Sequence, residues 1–345
     1  MLQNYKFVIL TLTQSKYMKL LITGATGFLG HHLIEKLKRT NPEDTIRIFK
    51  TKEDDMKLLP NFRGEIVEGD IRNADEVDEA VASCDVVFHL VGMVSYWDKL
   101  NDLQTQINVG GTKNVVDACL KHKVQRLVYV SSNVAIGYPP KGQISDEGTP
   151  YNFGPLRINY CETKYRAEIE IHKGIEKGLN AVIICPASMY GTGDIRRIHS
   201  DLMFKFSWPF NLIYLDGGLA VVDVEDVANG MILAWQKGKT GQRYLMVSEN
   251  LTQQEIRNVV AKALGKEEPK IKIPNWFLAV LANIFVFISL FNKKKPKLTP
   301  AMAKFFQLYL NYSNEKARRE LGMQFIPFKK SIEKQVAWYR ANGYL

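Results

Sequence analysis

Short runs of apolar residues alternate with amphipathic stretches through the first half of this 345-residue chain. Short apolar runs bounded by polar residues are typical of strands buried on both faces, and the intervening stretches follow helical spacing. Strands that alternate with helices form βαβ units with right-handed crossovers, so the pattern indicates an α/β fold with a doubly wound, mostly parallel sheet. The predicted strands are Leu20–Ile22, Thr45–Lys50, Ile66–Val67, Asp85–Gly92, Arg126–Ser132 and Ala181–Ile184.

The alternation weakens beyond Pro186. Residues 191–222 are rich in glycine, aromatic and bulky apolar residues, an irregular composition that suits a substrate pocket. Val224–Ala228 begins a helix with acidic residues in its first turn, and Tyr244–Val247 is predicted to be a strand that returns to the sheet. Further helices are predicted at 252–264, 299–310, 313–321 and 329–341.

A glycine-rich turn follows the first predicted strand. Gly24, Gly27 and Gly30 stand between Leu20–Ile22 and an amphipathic helical pattern. A strand that turns sharply into a helix points free N–H groups and the positive end of the helix dipole at one place, where a pyrophosphate can bind. Glycine is needed there because a β-carbon would block the turn or keep the phosphate from the backbone. The turn therefore predicts a dinucleotide cofactor.

The chain is accordingly predicted to have two units. Residues 18–190 form a dinucleotide-binding domain of the Rossmann type, to which residues 223–248 return. Residues 191–222 and 249–345 form a smaller, mainly helical substrate lobe. Residues 1–17 precede the glycine motif and are interpreted as an N-terminal extension, since their apolar run is too weak to indicate a signal peptide.

The end of the second predicted strand bears on which dinucleotide binds. An acidic residue there binds the ribose 2′-OH of NAD, whereas a basic one accommodates the 2′-phosphate of NADP. The strand ends in Lys50, Thr51 and Lys52, with Glu53 to Asp55 just beyond. This order favours NADP(H), while NAD(H) and a merely solvated loop remain open alternatives. After the third strand, Asp70 and Ile71 are predicted to border the adenine.

Composition narrows the class of protein. The chain is 46% hydrophobic and 24% charged, as ordinary globular proteins are. Its net charge of +10 favours anionic partners, but no arginine and lysine stripe interleaved with aromatic residues indicates nucleic acid. The four cysteines are widely spaced and the six histidines lack ligand spacing, so we expect a cytoplasmic protein with reduced thiols and no metal. His89 is interpreted as a buried, hydrogen-bonded histidine rather than a cofactor contact.

Tyr160 and Lys164 share one face of a predicted helix that runs to about Lys177. A free tyrosine has a pKa near 10 and is a poor base at neutral pH, but a nearby ammonium favours the phenolate. The pair can therefore exchange a proton near pH 7. Tyrosine and lysine occur at this spacing by chance on many helices, so the spacing alone is weak evidence of a catalytic pair. Two further features strengthen the hypothesis of a catalytic pair: the preceding dinucleotide turn, and Ser131–Ser132 at the end of the fifth strand.

From Met18 onward the chain resembles the extended short-chain dehydrogenase/reductases. The resemblance implies that Tyr160 is the general acid/base and that Lys164 holds the nicotinamide ribose and lowers the pKa of Tyr160. It also implies that a serine binds the reacting oxygen, for which Ser132 is preferred to its neighbour Ser131. The matching motifs are the three glycines, Asn108–Thr112, Ser132–Gly137, Tyr160 with Lys164, Cys185–Gly191 and Val224–Ala228. The cofactor-binding residues predicted in all are Gly24, Thr26, Phe28, Leu29, Gly27, Gly30, Lys50, Asp70, Ile71, Leu90, Val91, Gly92, Asn108, Tyr160, Lys164 and Pro186.

The same site serves two reaction classes within this family. One is net redox, as in dihydroflavonol reductases and 3β-hydroxysteroid dehydrogenases; the other is epimerisation or dehydration of nucleotide-sugars. Sugar-nucleotide members usually carry a pyrophosphate-binding arginine where this chain has Leu219, although Arg196 and Arg197 could substitute for it. The C-terminal half resembles bacterial dihydroflavonol-reductase-like proteins, including those called hopanoid-associated sugar epimerases. We favour a reductase or dehydrogenase of an apolar or aromatic substrate, with the epimerase/dehydratase as the alternative and a cofactor-binding protein without turnover as a third class.

One segment of the substrate lobe is almost wholly apolar. As a helix, Trp276–Phe291 is about 24 Å long, shorter than the hydrocarbon core of a bilayer at about 30 Å. Lys293, Lys294, Lys295 and Lys297 follow it. The favoured interpretation is a helix buried in the lobe, and the alternative is an interfacial helix that the lysines anchor to acidic lipid. A membrane surface and a second copy of the chain are thus open as partners beside the small-molecule substrate.

Overall fold

The computed structural model describes residues 17–195, 212–292, 296 and 298–345. The predicted extension, apart from Tyr17, lies outside the described residues, and so do the arginines and lysines named above as candidate anion contacts: Arg196, Arg197, Lys293, Lys294, Lys295 and Lys297. The central sheet has seven parallel strands in the order β3-β2-β1-β4-β5-β6-β10. Its strands are β1 (Lys19–Thr23), β2 (Thr45–Lys50), β3 (Glu65–Glu68), β4 (Val86–His89), β5 (Arg126–Val130), β6 (Ala181–Pro186) and β10 (Arg243–Met246).

This sheet confirms the predicted α/β fold and its parallel strands. All six strands predicted in the first half are present, and the predicted strand near Tyr244 joins the sheet edge beside β6. The strand order reverses between β1 and β4, and open α/β sheets bind ligands outside the carboxyl ends of strands at such a point. The glycine turn follows β1 directly, so the topology places it at that crevice.

The helices cover the sheet and build the remaining lobe. The helix predicted from Val224 onward is confirmed as α6 (Val224–Lys237), and it packs against α1 (Phe28–Thr40). Between α3 and α4 the chain forms one π-helical turn, Gln106–Gly110. The helices are α1 (Phe28–Thr40), α2 (Ala74–Val81), α3 (Asn101–Thr105), α4 (Gly111–Lys121), α5 (Asn159–Glu176), α6 (Val224–Lys237), α7 (Gln253–Leu264), α8 (Asn275–Asn292), α9 (Pro300–Phe305) and α10 (Phe328–Ala341).

A second, smaller sheet corrects the predicted secondary structure of the C-terminal half. β9 (Gly218–Asp223) pairs with β7 (Ser188–Tyr190), β11 (Glu249–Thr252) and β13 (Tyr309–Leu310). The helix predicted over 299–310 therefore ends at Phe305, because Tyr309 and Leu310 extend to pair with β9. The helix predicted over 313–321 contains a π-helical segment, Ala317–Leu321. A further pair joins β8 (Ile213–Tyr214) and β12 (Ile271–Lys272).

Helix α8 contradicts the favoured interpretation of the apolar segment as a buried helix. Trp276, Phe287 and Phe291 are 69%, 61% and 75% exposed. Against the described residues the helix packs along one side, where Leu278 and Ala282 lie in an apolar cluster with residues of α9. Hydrophobicity predicted burial of the whole helix, but the described part of the lobe covers this side alone. Among the described residues no helix is long and apolar enough to cross a membrane.

Candidate active site

The turn between β1 and α1 presents backbone N–H groups at the C-terminal edge of the sheet. Gly24 has a φ of +72°, and a β-carbon there would lie 3.1 Å from the backbone nitrogen of Val91. A β-carbon on Gly30 would lie 2.5 Å from the carbonyl oxygens of Gly24 and Ala25. Gly27, the N-cap of α1, has no side chain with which to occupy the first N–H groups. These groups and the dipole of α1 therefore suit a pyrophosphate, and the predicted residues Thr26, Phe28 and Leu29 lie in the same turn.

A cavity of about 330 Å³ extends from this turn across the ends of β1 to β4. Five of the predicted cofactor residues line it, namely Gly24, Lys50, Asp70, Ile71 and Val91. The cavity lies beside the pyrophosphate turn, at the place where the adenosine half of a dinucleotide binds in a doubly wound sheet. The residues present thus fit a dinucleotide.

Both cationic side chains that line this cavity have an acidic partner. The Lys50 ammonium donates to Glu68 Oε1 at 3.0 Å and to the Thr51 carbonyl oxygen at 2.9 Å. The Arg72 guanidinium pairs with Asp70 and lowers the pKa of that carboxyl. Lys50 therefore stands where the sequence predicted, at the end of β2, but Glu68 from β3 already binds its charge. No sequence pattern indicates this pair, because it depends on the register in which β2 and β3 align.

The chain after β4 forms the opposite wall of the crevice, and Asn108 holds it. Leu90 N donates to Thr23, and Gly92 is so close to Lys164 that a β-carbon there would lie 3.3 Å from Nζ. Asn108 Oδ1 accepts from Met93 N at 2.7 Å, while Nδ2 donates to the Met93 carbonyl oxygen. The π-helical turn directs Asn108 inward to make these contacts, a common feature of functional sites. Its amide therefore supports the loop beside Lys164, and direct contact with the cofactor stays a prediction.

Tyr160, Lys164 and Ser132 meet at the ends of β5 and β6, where Pro186 also lies. Tyr160 and Lys164 are in the first turns of α5, as predicted, and the Ser132 hydroxyl is close enough to Tyr160 to favour its phenolate. Lys164 Nζ donates to the carbonyl oxygen of Val130 at 2.9 Å. The three predicted catalytic side chains are thus brought together, next to the loop at Gly92 that borders the cofactor crevice.

The two adjacent serines have different partners. The Ser132 hydroxyl lies near Tyr160, whose phenolate it favours, and donates to Asn133 Oδ1 at 3.3 Å, whereas the Ser131 hydroxyl donates to Oε1 of Glu168 in the buried interior. Successive residues of an extended chain point to opposite sides, so only one serine can face the reacting groups. The geometry agrees with the preference for Ser132.

Burial dominates the electrostatics of the pair. It raises the pKa of Tyr160 to about 12, although the hydrogen bond from Ser132 lowers it. Burial lowers the pKa of Lys164 to about 8, and the Glu168 carboxylate opposes this by raising it. The expected net lowering of the Tyr160 pKa is therefore not found in the protein alone, because desolvation outweighs the hydrogen bond. At neutral pH the phenol is protonated and suited to donate a proton.

Glu168 is a functional candidate beyond the residues predicted from the sequence. It is fully buried, lies four residues after Lys164 on α5, and pairs with Arg243 of β10 at 2.7 Å. A buried carboxylate persists only with partners, and here Ser131 and Arg243 supply them. The i, i+4 spacing from Lys164 was visible in the sequence and places both side chains on one helix face. That spacing was the available signal.

A row of aromatic rings begins at the reacting tyrosine. The ring of Tyr96 lies 6.0 Å from that of Tyr160, edge-on, and 5.7 Å from Phe305 of α9. Phe153 follows at 6.4 Å from Phe305. Leu219, at the position where an arginine would bind a sugar-nucleotide pyrophosphate, is a buried residue of β9. The ring that contacts Tyr160 is thus aromatic, and the Leu219 position supplies no cation for a pyrophosphate.

His89 is held by hydrogen bonds at both of its ring nitrogens. His89 Nδ1 bonds to Thr23 Oγ1 at 2.7 Å and Nε2 to Thr112 Oγ1 at 3.1 Å. Burial lowers its pKa to about 3, so the ring is neutral, and the interpretation as a buried, hydrogen-bonded histidine is confirmed. Within residues 17–195, 212–292 and 298–345, no cluster of histidine, cysteine and acidic side chains could hold a metal ion.

Comparisons with known proteins show which family the chain resembles. Residues 21–266 match the model of the 3-beta hydroxysteroid dehydrogenase/isomerase family. A Synechocystis sp. protein with the provisional name dihydroflavonol 4-reductase is 29% identical, covering 94% of this chain and 95% of its own. Sterol demethylase protein B of Methylococcus capsulatus is 26% identical, covering 95% and 100%.

Solved structures show the same fold. The crystal structure of gox2253 superposes with a TM-score of 0.83 at 27% identity, covering 94% of this chain and 99% of that one. The dTDP-glucose 4,6-dehydratase DesIV of Streptomyces venezuelae, solved with NAD bound, gives a TM-score of 0.75 at 20% identity and covers 94% and 98%. At that identity the second likeness bears on the fold alone.

Proposed function

The chain belongs to the 3-beta hydroxysteroid dehydrogenase/isomerase family, within the extended short-chain dehydrogenase/reductases, and is an NAD(P)-dependent enzyme. On this premise we propose that it transfers a hydride between nicotinamide and a carbonyl or secondary alcohol of an apolar or aromatic substrate. The observation that carries the proposal is the row of aromatic rings that begins at Tyr160, in which Tyr96 contacts Tyr160 and Phe305 contacts Tyr96. The names of the Synechocystis and Methylococcus relatives, which refer to a dihydroflavonol and to sterols, support an apolar ring substrate.

The protein's own residues perform the proton transfer in this scheme. A bound nicotinamide supplies or accepts the hydride at the substrate carbon. In the reducing direction the Tyr160 hydroxyl donates its proton to the carbonyl oxygen, which becomes the alcohol, and Ser132 hydrogen-bonds to the same oxygen. The Lys164 ammonium stabilises the negative charge left on the phenolate. Asn108 holds the loop at Gly92 in place, so that the cofactor crevice and the catalytic side chains stay in register.

We also propose that NADP(H) is the preferred cofactor. β2 ends in Lys50 and continues with Thr51, and both line the adenosine cavity. A lysine at this position accommodates a ribose 2′-phosphate, whereas an acidic residue would bind the 2′-hydroxyl of NAD. Glu68 competes with the 2′-phosphate for the charge of Lys50, so we expect a moderate preference for NADP(H) over NAD(H). Removing the Glu68 carboxylate tests this preference directly.

Turnover with defined substrates tests the proposed function. The purified chain is incubated with NADPH or NADH and, in separate reactions, a dihydroflavonol, a 3-ketosteroid, an aromatic ketone and a set of nucleotide-sugars. Net oxidation of the cofactor with an apolar ketone is the expected result. Conversion of a nucleotide-sugar without net cofactor consumption would contradict the proposal and support the epimerase/dehydratase class.

A further inference from the structure

Helix α8 has two opposite faces, one on the protein and one in solvent. Leu278, Ala282 and Ser289 are buried along one narrow stripe. The solvent face consists of large apolar side chains that are between 44% and 75% exposed: Trp276, Phe277, Val280, Ile284, Phe287, Ile288, Leu290 and Phe291. At about 100° per residue these side chains cover an arc of about 160°, centred opposite the buried stripe.

Such a face is unusual for a surface that only water covers. Monomeric soluble proteins rarely expose contiguous apolar patches of this size, and larger ones mark interaction sites. Asn283 is the one polar residue within the arc, between Leu290 and Trp276, and its side-chain amide donates to the Ala279 carbonyl oxygen of the same helix at 2.9 Å. The helix is about 27 Å long and lies along the protein by its buried stripe, so it presents its long side rather than an end.

We infer that α8 is an interfacial helix that binds the enzyme to the surface of an anionic lipid bilayer. An apolar arc of this width, on a helix with the aromatic residues Trp276 and Phe291 near its two ends, suits insertion into the boundary between headgroups and acyl chains. In the sequence α8 is followed by Lys293, Lys294, Lys295 and Lys297, and the whole chain carries a net charge of +10. Each lysine near an acidic leaflet strengthens binding, whereas the same lysines would repel those of a second copy.

The position of α8 connects this surface to the active site. Beneath α8, Leu278 and Ala282 pack in a small apolar cluster with Phe306, which also packs against the main core. Phe306 is 6.3 Å from Phe305, whose ring contacts Tyr96 beside Tyr160. The lipid-facing helix is thus separated from the reacting tyrosine by apolar and aromatic side chains. This connection rests on the proposed function, since an apolar substrate dissolves in the bilayer that α8 would touch.

Vesicle binding of the full-length protein tests the inference. The protein is sedimented, without substrate or cofactor, with vesicles of phosphatidylcholine alone or mixed with phosphatidylglycerol, at about 0.1 M and about 1 M salt. The variant F287Q/F291Q removes two exposed rings of α8, and I144Q is the matched control because Ile144 is 63% exposed elsewhere on the protein. A third variant replaces Lys293, Lys294 and Lys295 with glutamine. Quenching of tryptophan fluorescence by brominated lipid, with W276F as reference, reports insertion of α8 itself.

We expect binding to the anionic vesicles that weakens at high salt and in the lysine variant. F287Q/F291Q should weaken it at least about tenfold, I144Q should not, and W276F should lose most of the bromolipid quenching. Absence of binding, or equal binding by F287Q/F291Q and the parent, would overturn the inference. The inference would also be overturned if light scattering without lipid shows that the parent protein is a dimer and that F287Q/F291Q is a monomer. Turnover of a water-soluble ketone without vesicles is measured in parallel, so failure of the proposed reaction is seen separately from failure of lipid binding.

Discussion

Replacing Glu168 with glutamine is expected to move the pH at which catalytic activity is lost. The substitution keeps the size of the side chain and an oxygen that accepts from Ser131, but it removes the negative charge near Lys164. Because the two side chains are four residues apart on α5, their β-carbons are about 6 Å apart. At an effective dielectric constant of about 20, unit charges at that distance interact by about 3 kcal/mol. Arg243, paired with Glu168 at 2.7 Å, offsets part of the attraction between Glu168 and Lys164. We therefore expect a net effect on the Lys164 ammonium of about 1.4 kcal/mol, which corresponds to about one pKa unit.

The sign follows from the two influences on Lys164. Burial lowers the pKa of its ammonium to about 8, and Glu168 raises it. Removing the carboxylate therefore lowers the pKa further, and the ammonium is lost at a lower pH. Since reduction requires that charge beside Tyr160, the alkaline limb of kcat/KM should move from near pH 8 to about pH 7.

The assay is the pH profile of kcat/KM for ketone reduction, measured beside thermal unfolding. Glu162→Gln is the matched control: the residue is on the same helix and contacts Tyr151 at 3.2 Å. Its profile should coincide with that of the parent protein. If Glu168→Gln lowers the melting temperature but leaves the alkaline limb in place, Glu168 only stabilises the fold and the electrostatic explanation is wrong.

Three further substitutions test other parts of the site. Glu68→Gln should release Lys50 and lower the KM for NADPH about threefold with little effect on NADH, and an equal change for both cofactors would refute the NADP(H) preference. Ser132→Ala should reduce kcat at least about tenfold at unchanged melting temperature, whereas Ser131→Ala should chiefly lower the melting temperature, and the reverse pattern would exchange their roles. Gly30→Ala, whose β-carbon would lie 2.5 Å from backbone oxygens, should lower the free energy of unfolding by about 1–3 kcal/mol in denaturant titrations; an unchanged midpoint would contradict the tight turn.

The dinucleotide half of the protein could be predicted because its signals are local. Gly24, Gly27 and Gly30 occupy a turn whose backbone demands are met within a few residues. The buried strands reveal themselves by their own apolar runs, and βαβ topology then determines which strand ends share an edge. Tyr160 and Lys164 could be paired for the same reason, since helical spacing alone places them on one face.

Features that depend on distant partners could not be predicted. β9 forms a sheet with strands from three separate regions, and Tyr309 and Leu310 leave a predicted helix only because β9 is there to pair with them. Glu68 faces Lys50 through the register of β2 and β3. The exposure of α8 is of this kind as well: an apolar helix predicts burial, but the extent of burial depends on how much surface the rest of the lobe provides. These are tertiary contacts, and single-sequence patterns do not contain them.

The central claim is that this enzyme transfers a hydride to its substrate with Tyr160 as the proton donor. The most direct test is reduction of an apolar ketone with NADPH that carries deuterium at C4 of the nicotinamide, in each of its two stereochemical forms. We expect the alcohol product to gain one deuterium from one form only, and Tyr160→Phe to lose at least about 100-fold in rate while still binding NADPH. An unlabelled product, or a Tyr160→Phe variant with the parent's rate, would contradict the claim.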